Sequence, residues 1–451
     1  MKNVALIFPN KFTGGISNLA MHILNYNLNK YKYISCNMYF IENYTEIKNK
    51  DAIIITLQYE NDYFNVVKIV NQLKKTNPNA IFIGGGPCAM GNPLPLKNYF
   101  DVFVVGEIEG TNLMYELIMN NKNNNTKNNN VNDINNMSMN KGVYYTSYPS
   151  EYFDKVKRIY PKQFNIEDYP LKQYTHNNGA YGKAFLLELG RGCPRRCKFC
   201  MAKNIYYPPR FRKLEQLQYI VKEGLKQSNV NKVALISPSV GDYKYITDLC
   251  YYINEINNNI QISPSSLRAD TITEELIEIL NLKTLTIAPE AGSETLRNYI
   301  KKDITNDHIE NCLNLAKQHR IDKIKLYFMV GLPTETEEDI NELITLCQNV
   351  KKDFRKVEVS INPFVPKPKT PFENEQFNIY SKNTIAYIEK VLKKHNIKVS
   401  YENFNSMIIQ CILCRGDYDL GEVIETYNKP IQFLKYIKKK GYLENYLGKL
   451  D

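Results

Sequence analysis

Cys193, Cys197 and Cys200 stand in the stretch Arg191 to Cys200, RGCPRRCKFC, at a C-x3-C-x2-C spacing. Such a loop bends three thiolates towards one point, and no fourth cysteine lies near them in the chain. Three thiolates on a four-iron cube leave one iron open. An open coordination position marks a metal site that does chemistry, whereas a closed shell marks one that braces a fold. Phe199, just before the last cysteine, is placed to cover one face of a ligand held there. Half of a zinc site is the competing reading. Its other donors would have to come from the distant C-x2-C pair Cys411 and Cys414, and zinc sites usually join such pairs or closely spaced histidines.

Elements able to position this loop surround it in the sequence. From about Ala184 the runs AFLLELG, KVALISPS, IQISPSS, TLTIAP, KIKLYFMVG and VEVSINPF read as six strands. Helical stretches at about 213–227, 243–257, 273–281, 293–318 and 335–352 separate them. A repeated strand and helix pattern of this size gives a parallel barrel, and six units make it a partial (βα)6 barrel of the TIM type. Reactive groups in barrels sit on the loops after the strands, where the cysteine loop follows the first.

Later strand ends add further polar groups. Ser237, Ser239 and Asp242 follow the second strand, Ser265, Ser266 and Arg268 the third, and Glu290 of APEAGSE the fourth. A hydroxyl and a guanidinium are the partners that a carboxylate and a ribose need. Met329 and Gly331 close the fifth strand, with Thr334 expected to cap the helix that contains Glu337. Each residue taken alone also suits a helix cap, an ion pair or a turn.

Residues 1–119 alternate apolar runs (VALIFP, ISCNMYFI, DAIIITLQ, AIFIGGG, VFVVGE) with amphipathic stretches, which predicts a Rossmann-like parallel sheet with helices on both faces. Asn10, Gly14, Gly15, Gln58, Gly84, Gly85, Gly86, Gly106 and Glu107 follow the strand ends, where glycines remove side chains that would block a flat ligand. Tight turns explain the same glycines. Residues 120–183 form a low-complexity asparagine-rich tract and a linker, 184–372 the barrel, and 373–451 a small, mainly helical appendage with one strand, IKVSYEN. Cys411 and Cys414 fall on one apolar helix face, where core packing is the simpler role.

The 451 residues carry a formal charge of +11 and ten irregularly spaced cysteines. Reduced thiols fit a cytoplasmic protein without a disulfide framework, and no apolar run reaches the ~18 residues of a membrane span. The lysines are scattered, so a polyanionic partner such as RNA gains little support.

The cysteine spacing with its aromatic residue resembles the signature of radical S-adenosylmethionine (radical SAM) enzymes. SLRAD, APEAGSE, GLPTETEED and NPFVPKPKTPF resemble their counterparts in members with an N-terminal cobalamin-binding domain, and GGGPCAMGNPLPLKNYFDVFVVGEIE resembles that domain. The resemblance covers about residues 1–372. It implies a 4Fe-4S cluster on Cys193, Cys197 and Cys200, and S-adenosylmethionine held by Phe199, Ser237, Ser266, Arg268, Glu290, Met329 and Gly331. Cobalamin would lie on Asn10, Gly14, Gly15, Gln58, Gly84, Gly85, Gly86, Gly106 and Glu107. It further implies a 5′-deoxyadenosyl radical, methyl transfer to an unactivated carbon of a peptide, RNA or small molecule, anaerobic chemistry, and an external electron donor such as a ferredoxin or flavodoxin.

Two departures stand out. The D-x-H-x-x-G motif that gives cobalt a histidine is missing, for the loop reads NKFTGGISNL and His22 falls in the following helix. Gly-Gly-Glu, found after the second barrel strand in many members, is replaced by SPSVGDY. Rearrangement, ring formation or sulfur insertion without cobalamin is the alternative, as is a non-catalytic iron-sulfur or RNA-binding protein. The tRNA methylthiotransferase group carries three further N-terminal cysteines, where this chain has Cys36 and Cys88.

Overall fold

A computed structural model describes residues 1–120, 141–265 and 267–448. The low-complexity tract and Ser266 lie outside the described residues. The chain forms two compact units, each assembled from separate segments.

The first unit comprises Met1–Leu186, Tyr219–Val230 and Leu413–Lys440. Its sheet contains β1 (Lys2–Ile7), β2 (Ile34–Tyr39), β3 (Ala52–Thr56), β4 (Ile81–Gly85), β5 (Val102–Val104) and β6 (Val143–Tyr145), in the order β2-β1-β3-β4-β5-β6. The first five are parallel and β6 closes the edge antiparallel to β5. Every residue of β3, AIIIT, is buried, because a parallel strand with both faces covered has no solvent side for polar residues. Val66, Val67, Ile69, Val70 and Leu73 of the helix Tyr63–Thr76 are buried, at the spacing of one apolar face. The helix Leu19–Asn29 begins at Asn18, whose side-chain oxygen accepts the Ala20 N–H at 3.0 Å.

The second unit comprises Leu187–Gln218, Asn231–Ile412 and Gly441–Asp451. The chain enters it within β7 (Phe185–Glu188), followed by the two-residue antiparallel pair β8 (Gly190–Arg191) and β9 (Arg210–Phe211). Next come β10 (Lys232–Ile236), β11 (Gln261–Pro264), β12 (Thr284–Glu290), β13 (Lys323–Val330), β14 (Lys356–Pro363) and β15 (Lys398–Ser400). The larger sheets run β7-β10-β11 and β12-β13-β14-β15. All six expected strands occur, and IKVSYEN is the parallel edge strand beside β14.

Alternation along β13 and β14 buries Ile324, Leu326, Phe328, Val357, Val359 and Ile361 in one core with Leu343, Ile344 and Cys347 of the helix Glu337–Asp353. Lys325, Tyr327, Met329, Glu358 and Ser360 take the opposite face, as a strand's period of two requires. That face is polar, which suits a barrel with an accessible interior.

Two local expectations change. The helix expected over 293–318 is broken into Glu294–Tyr299 and Asn306–Gln318, with left-handed Lys301 and Asp303 between them. Thr336, not Thr334, caps the helix Glu337–Asp353 in a capping box with Asp339, while Thr334 has φ +66°. No helix among the described residues is long and apolar enough to cross a membrane.

Candidate active site

The cysteine loop is pinned at its base. Gly190 pairs with Phe211 and Arg191 with Arg210, so the β8 and β9 ribbon closes the loop from Gly192 to Pro209. Gly192 has φ +76°, and a side chain there would meet the Tyr206 carbonyl oxygen at 2.5 Å. Beneath the ribbon, buried Glu188 accepts from Arg191 Nε at 2.6 Å, Arg191 Nη2 at 3.2 Å and Arg212 Nη2 at 2.9 Å. Burial alone would raise its carboxyl, but the two guanidiniums hold it down to about 2.

Cys197 is buried and Cys193 and Cys200 half-buried. Cys200 donates its N–H to the Cys197 carbonyl at 3.3 Å, and Lys198 donates its N–H to the Ile300 carbonyl at 3.0 Å. Phe199 packs with Met329 and Tyr299 against Ala291, Leu296, Ile300, Leu332, Phe364 and Phe372. The structure therefore brings these two expected ligand contacts, Phe199 and Met329, into one apolar patch beside the cysteines.

Charge surrounds the thiols. Burial pushes the Cys197 thiol up to about 11, against the pull of the nearby Lys302 and Arg268 cations, while Cys200 and Glu290 add to the rise. Burial likewise raises Cys193, with Cys200 and Asp242 contributing and Arg268 opposing. These interactions gather the three cysteines, Arg268, Lys302, Glu290 and Asp242 into one neighbourhood. Three thiols on one loop beside two buried cations form a donor set that fits a 4Fe-4S cluster.

Arg268 is more committed than its position in the sequence suggests. Its Nε and Nη2 donate to Asp270 at 2.9 and 3.2 Å, and Nη2 also donates to the Lys302 carbonyl at 2.7 Å. Asp270 in turn pairs with Arg195 at 2.9 Å, and Arg195 Nε donates to Asp242 at 3.0 Å. Burial is the largest single effect on Asp242 and would raise it, but the hydrogen bonds from Arg195 and Ser239 and the charges of Arg195 and Arg268 together hold it below the usual carboxylate range. Ser237 donates to the Ser239 carbonyl at 3.3 Å, and its backbone exchanges hydrogen bonds with the Ser265 hydroxyl, which tie the ends of β10 and β11 together.

Glu290 sits at a register shift in β12 with φ +72°, and Lys302 Nζ lies 3.0 Å from its Oε1. Neither Lys302 nor Arg297 was singled out by the sequence reading. Arg297 is fully buried and donates to the carbonyls of Ile304 at 2.7 Å and Ala291 at 3.2 Å, bracing the APEAGSE loop. An arginine four residues after the capping Ser293, in the run LRNYI, was the available signal.

Gly331 has φ +75° and donates its N–H to Glu335 Oε2 at 2.6 Å. Burial, with a smaller contribution from Asp339, raises the Glu335 carboxyl to about 7 against that hydrogen bond. A carboxyl raised on folding contributes stability that is fully present below its ordinary value of 4.5 and is lost as pH rises through about 7. Glu335→Gln is expected to flatten that segment of the stability curve and to gain roughly 3 kcal/mol relative to wild type at pH 8. Urea unfolding at pH 5 and pH 8 checks it, and parallel slopes for the two proteins would disprove the assignment.

At the edge of the first unit's sheet, Asn10 Nδ2 donates to Asp62 Oδ1 at 2.6 Å. Buried Glu107 pairs with Arg158 at 3.2 Å. Most of the glycines expected to make room for a flat ligand are packed by the chain itself. An added Cβ would meet Phe40 at 2.5 Å from Gly15, Phe103 at 2.6 Å from Gly84, and backbone of Leu57 and Ile159 from Gly86 and Gly106. Gly14 and Gly85 leave room, their nearest neighbours being the Phe8 ring at 3.4 Å and the Val104 carbonyl at 3.8 Å, both ordinary contact distances. His22 is buried on the helix Leu19–Asn29 with Nε2 2.9 Å from the Ile16 carbonyl, so the loop after β1 offers no imidazole.

Cys411 and Cys414 are both buried. Cys411 donates to the Tyr446 carbonyl at 3.6 Å and Cys414 to Glu60 Oε1 at 3.2 Å. The close group of three metal-ligating side chains among the described residues is Glu274, Glu278 and His319, and it includes neither these two cysteines nor Cys193, Cys197 and Cys200, whose sulfurs a four-iron cube would hold farther apart than a single ion does.

Comparison with known proteins gives this arrangement its family. Residues 187–347 match the model of the radical SAM superfamily, and residues 26–145 match that of radical SAM proteins, N-terminal. The chain belongs to the radical SAM superfamily. Membership brings a 4Fe-4S cluster and S-adenosylmethionine, so this is a radical SAM enzyme. An uncharacterised protein of Methanocaldococcus jannaschii, MJ0966, is 56% identical over all of this chain and 97% of its own length. The ribosomal protein uS12 methylthiotransferase RimO of Clostridioides difficile is 27% identical over 42% of this chain and 44% of its own. Two solved structures share the fold. The radical SAM methyltransferase TsrM of Kitasatospora setae, with cobalamin and a [4Fe-4S] cluster bound, has a TM-score of 0.59 at 13% identity, over 82% of this chain and 74% of that one. The cobalamin-dependent radical enzyme OxsB has a TM-score of 0.55 at 14% identity, over 99% and 75%.

Proposed function

We propose that this chain is a cobalamin-dependent radical SAM methyltransferase acting on an unactivated carbon. Cys193, Cys197 and Cys200 hold the cluster, and the observation that carries the reading is their joint placement on one pinned loop beside buried Lys302 and Arg268. When bound, the cluster supplies one electron to the sulfonium of S-adenosylmethionine, and the radical so released takes hydrogen from carbon. The protein's own residues bind and orient. Phe199 and Met329 would cover the nucleoside, the carbonyl side of Gly331 would approach it, and Glu290 and Lys302 would meet polar groups of the ligand. Ser237 lies near its amino-acid end, while Arg268 acts by fixing Asp270 and the 302 turn. Ser266 keeps its proposed role as a hydroxyl partner.

Cobalamin is supported by the two-part architecture shared with TsrM and OxsB over most of the chain. The edge of the first unit fits the group only without a histidine on cobalt. Asn10, Gly14, Gln58, Gly85 and Glu107 would hold it, while Gly15, Gly84, Gly86 and Gly106 serve the packing of the chain itself. Sulfur insertion is less well supported. Cys36 and Cys88 are both buried, and burial pushes the Cys36 thiol up to about 12, which suits packing rather than metal binding.

Anaerobic reconstitution with iron, sulfide and hydroxocobalamin, followed by S-adenosylmethionine and dithionite, tests the reading. One cobalamin per chain should remain through gel filtration and 5′-deoxyadenosine should form. A protein that makes 5′-deoxyadenosine but retains no cobalamin is not a cobalamin methyltransferase. One that holds a cluster yet leaves S-adenosylmethionine intact with every candidate substrate class is not the proposed enzyme.

A further inference from the structure

The larger barrel sheet carries an unbalanced charge on its inner face. Its outer face, with Leu285, Ile324, Leu326 and Val359, packs on the helices Asn306–Gln318, Glu337–Asp353 and Ser381–Lys393. Alternate residues of the four strands therefore point inward, and the strand register sets them in rows. Thr286, Lys325, Glu358 and Lys398 form one row, and Tyr327, Ser360 and Ser400 the next towards the carboxyl ends. Met329, opposite Asn362, completes the series and packs with Phe199 of the cysteine loop.

Glu358 is shared by three ammonium groups. Lys323 Nζ lies 2.8 Å from its Oε1, Lys325 Nζ 3.8 Å from its Oε2 and Lys398 Nζ 3.9 Å from its Oε1. Two positive charges are left over, and Lys356, opposite Lys323 on the same face, adds a third. Asp322 at the foot of β13 pairs with Arg355 instead, at 3.7 Å. Like charges on adjacent strands repel, so the fold itself gains nothing from this excess. The face is also open: Tyr327 is 41% exposed, and the side chains of Lys325 and Glu358 keep 38% and 30% of their surface.

We propose that this inward lysine cluster anchors a phosphate ester on an elongated small-molecule substrate whose reacting carbon lies at its other end, beside Met329. The inference rests on the radical SAM reading above and names its substrate class. A surplus of two charges matches the dianion of a phosphate monoester. Lysine suits phosphate as a point charge, whereas planar recognition of a carboxylate calls for arginine, and none stands in these rows. Four residues of strand separate Lys325 from Met329, roughly 13 Å, so the anion and the carbon are set well apart in the molecule. A nucleic-acid strand fits less well, because stacking needs a succession of aromatic side chains and these rows hold Tyr327 alone.

The test titrates the full-length, cluster-loaded protein with hexyl phosphate in an anaerobic calorimeter, with hexanoate and a short single-stranded RNA as the comparison ligands. Wild type should bind hexyl phosphate more tightly than either, and the ligand should protect Lys323, Lys325 and Lys398 from reductive methylation, read by peptide mass spectrometry. Lys325→Gln/Lys398→Gln should weaken binding by about tenfold or more, and Glu358→Gln, which removes the competing carboxylate, should tighten it by roughly threefold or more. Lys317→Gln is the control, since Lys317 pairs with Asp353 on the outer helices, and its affinity should match wild type. Unchanged affinity in the double variant, or weaker binding in Glu358→Gln, would overturn the proposal. So would a wild type that binds no hexyl phosphate, binds hexanoate equally well or prefers the RNA. If wild type makes no 5′-deoxyadenosine from S-adenosylmethionine and dithionite, the enzymatic reading fails, while the titration still decides the phosphate site.

Discussion

Cys197→Ala is expected to abolish cluster retention and to lower reductive cleavage of S-adenosylmethionine by more than about three orders of magnitude, because no route remains for the single electron. Cys193→Ala and Cys200→Ala should do the same. All three thiols sit on a loop with few alternative donors: Asp242, the carboxylate acting on Cys193, is already bound by Arg195. Iron and sulfide analysis after anaerobic reconstitution, with 5′-deoxyadenosine measured by chromatography, gives the readout. Cys347→Ala is the informative control, since Cys347 is fully buried on the helix Glu337–Asp353 and packs in the apolar core. It should keep its iron. Full iron in any one of the three loop variants, or loss of iron in Cys347→Ala, would mean that the loop is not the cluster's seat.

How much of this was legible in the sequence depends on the range over which each feature is encoded. Strands were legible because their burial is written locally. AIIIT can only be covered on both faces, and KIKLYFMV can only present Ile324, Leu326, Phe328 and Val330 to one side. The cysteine loop was legible for the same reason, its three ligands lying within eight residues. Charge pairing was not. Arg268 reads as an anion receptor until Asp270 folds back onto it and Arg195 arrives from far upstream. Lys302 looks like one more lysine in LRNYIKKD until the left-handed turn at Lys301 brings it onto Glu290.

The glycines carry the opposite lesson. Their clustering at strand ends suggested space for a flat ligand. In the fold, most of that space is filled by Phe8, Phe40, Phe103 and the Leu57 and Ile159 backbone, residues whose approach no local pattern announces. Gly14 and Gly85 keep the meaning first given to all of them.

The same long-range logic makes Glu188 the most consequential residue outside the cysteines. Its carboxylate is buried and shared by Arg191 and Arg212, which flank the cluster loop at its two ends. Glu188→Gln preserves shape but removes the carboxylate charge that the two guanidiniums share in a largely buried site. Breaking one side of a buried ion pair costs about 3–5 kcal/mol, far more than the intact pair contributes over an apolar replacement. The depressed pKa gives a consistent scale: a carboxyl held at about 2 rather than its ordinary 4.5 corresponds to roughly 3 kcal/mol. Because the folded value is the lower one, that contribution is present above pH 4.5 and is lost as pH falls towards 2. Urea unfolding of the cluster-free protein at pH 7 should show the variant destabilised by about 3 kcal/mol or more. Between pH 5 and pH 3 the gap should narrow, since the wild-type carboxylate is then losing its advantage over the unfolded chain. Loss of the clamp also releases both ends of the loop from Gly192 to Pro209, so iron retention should fall even where the variant stays folded. A variant with wild-type stability and full iron would show that the β8 and β9 ribbon alone holds the three thiols in register.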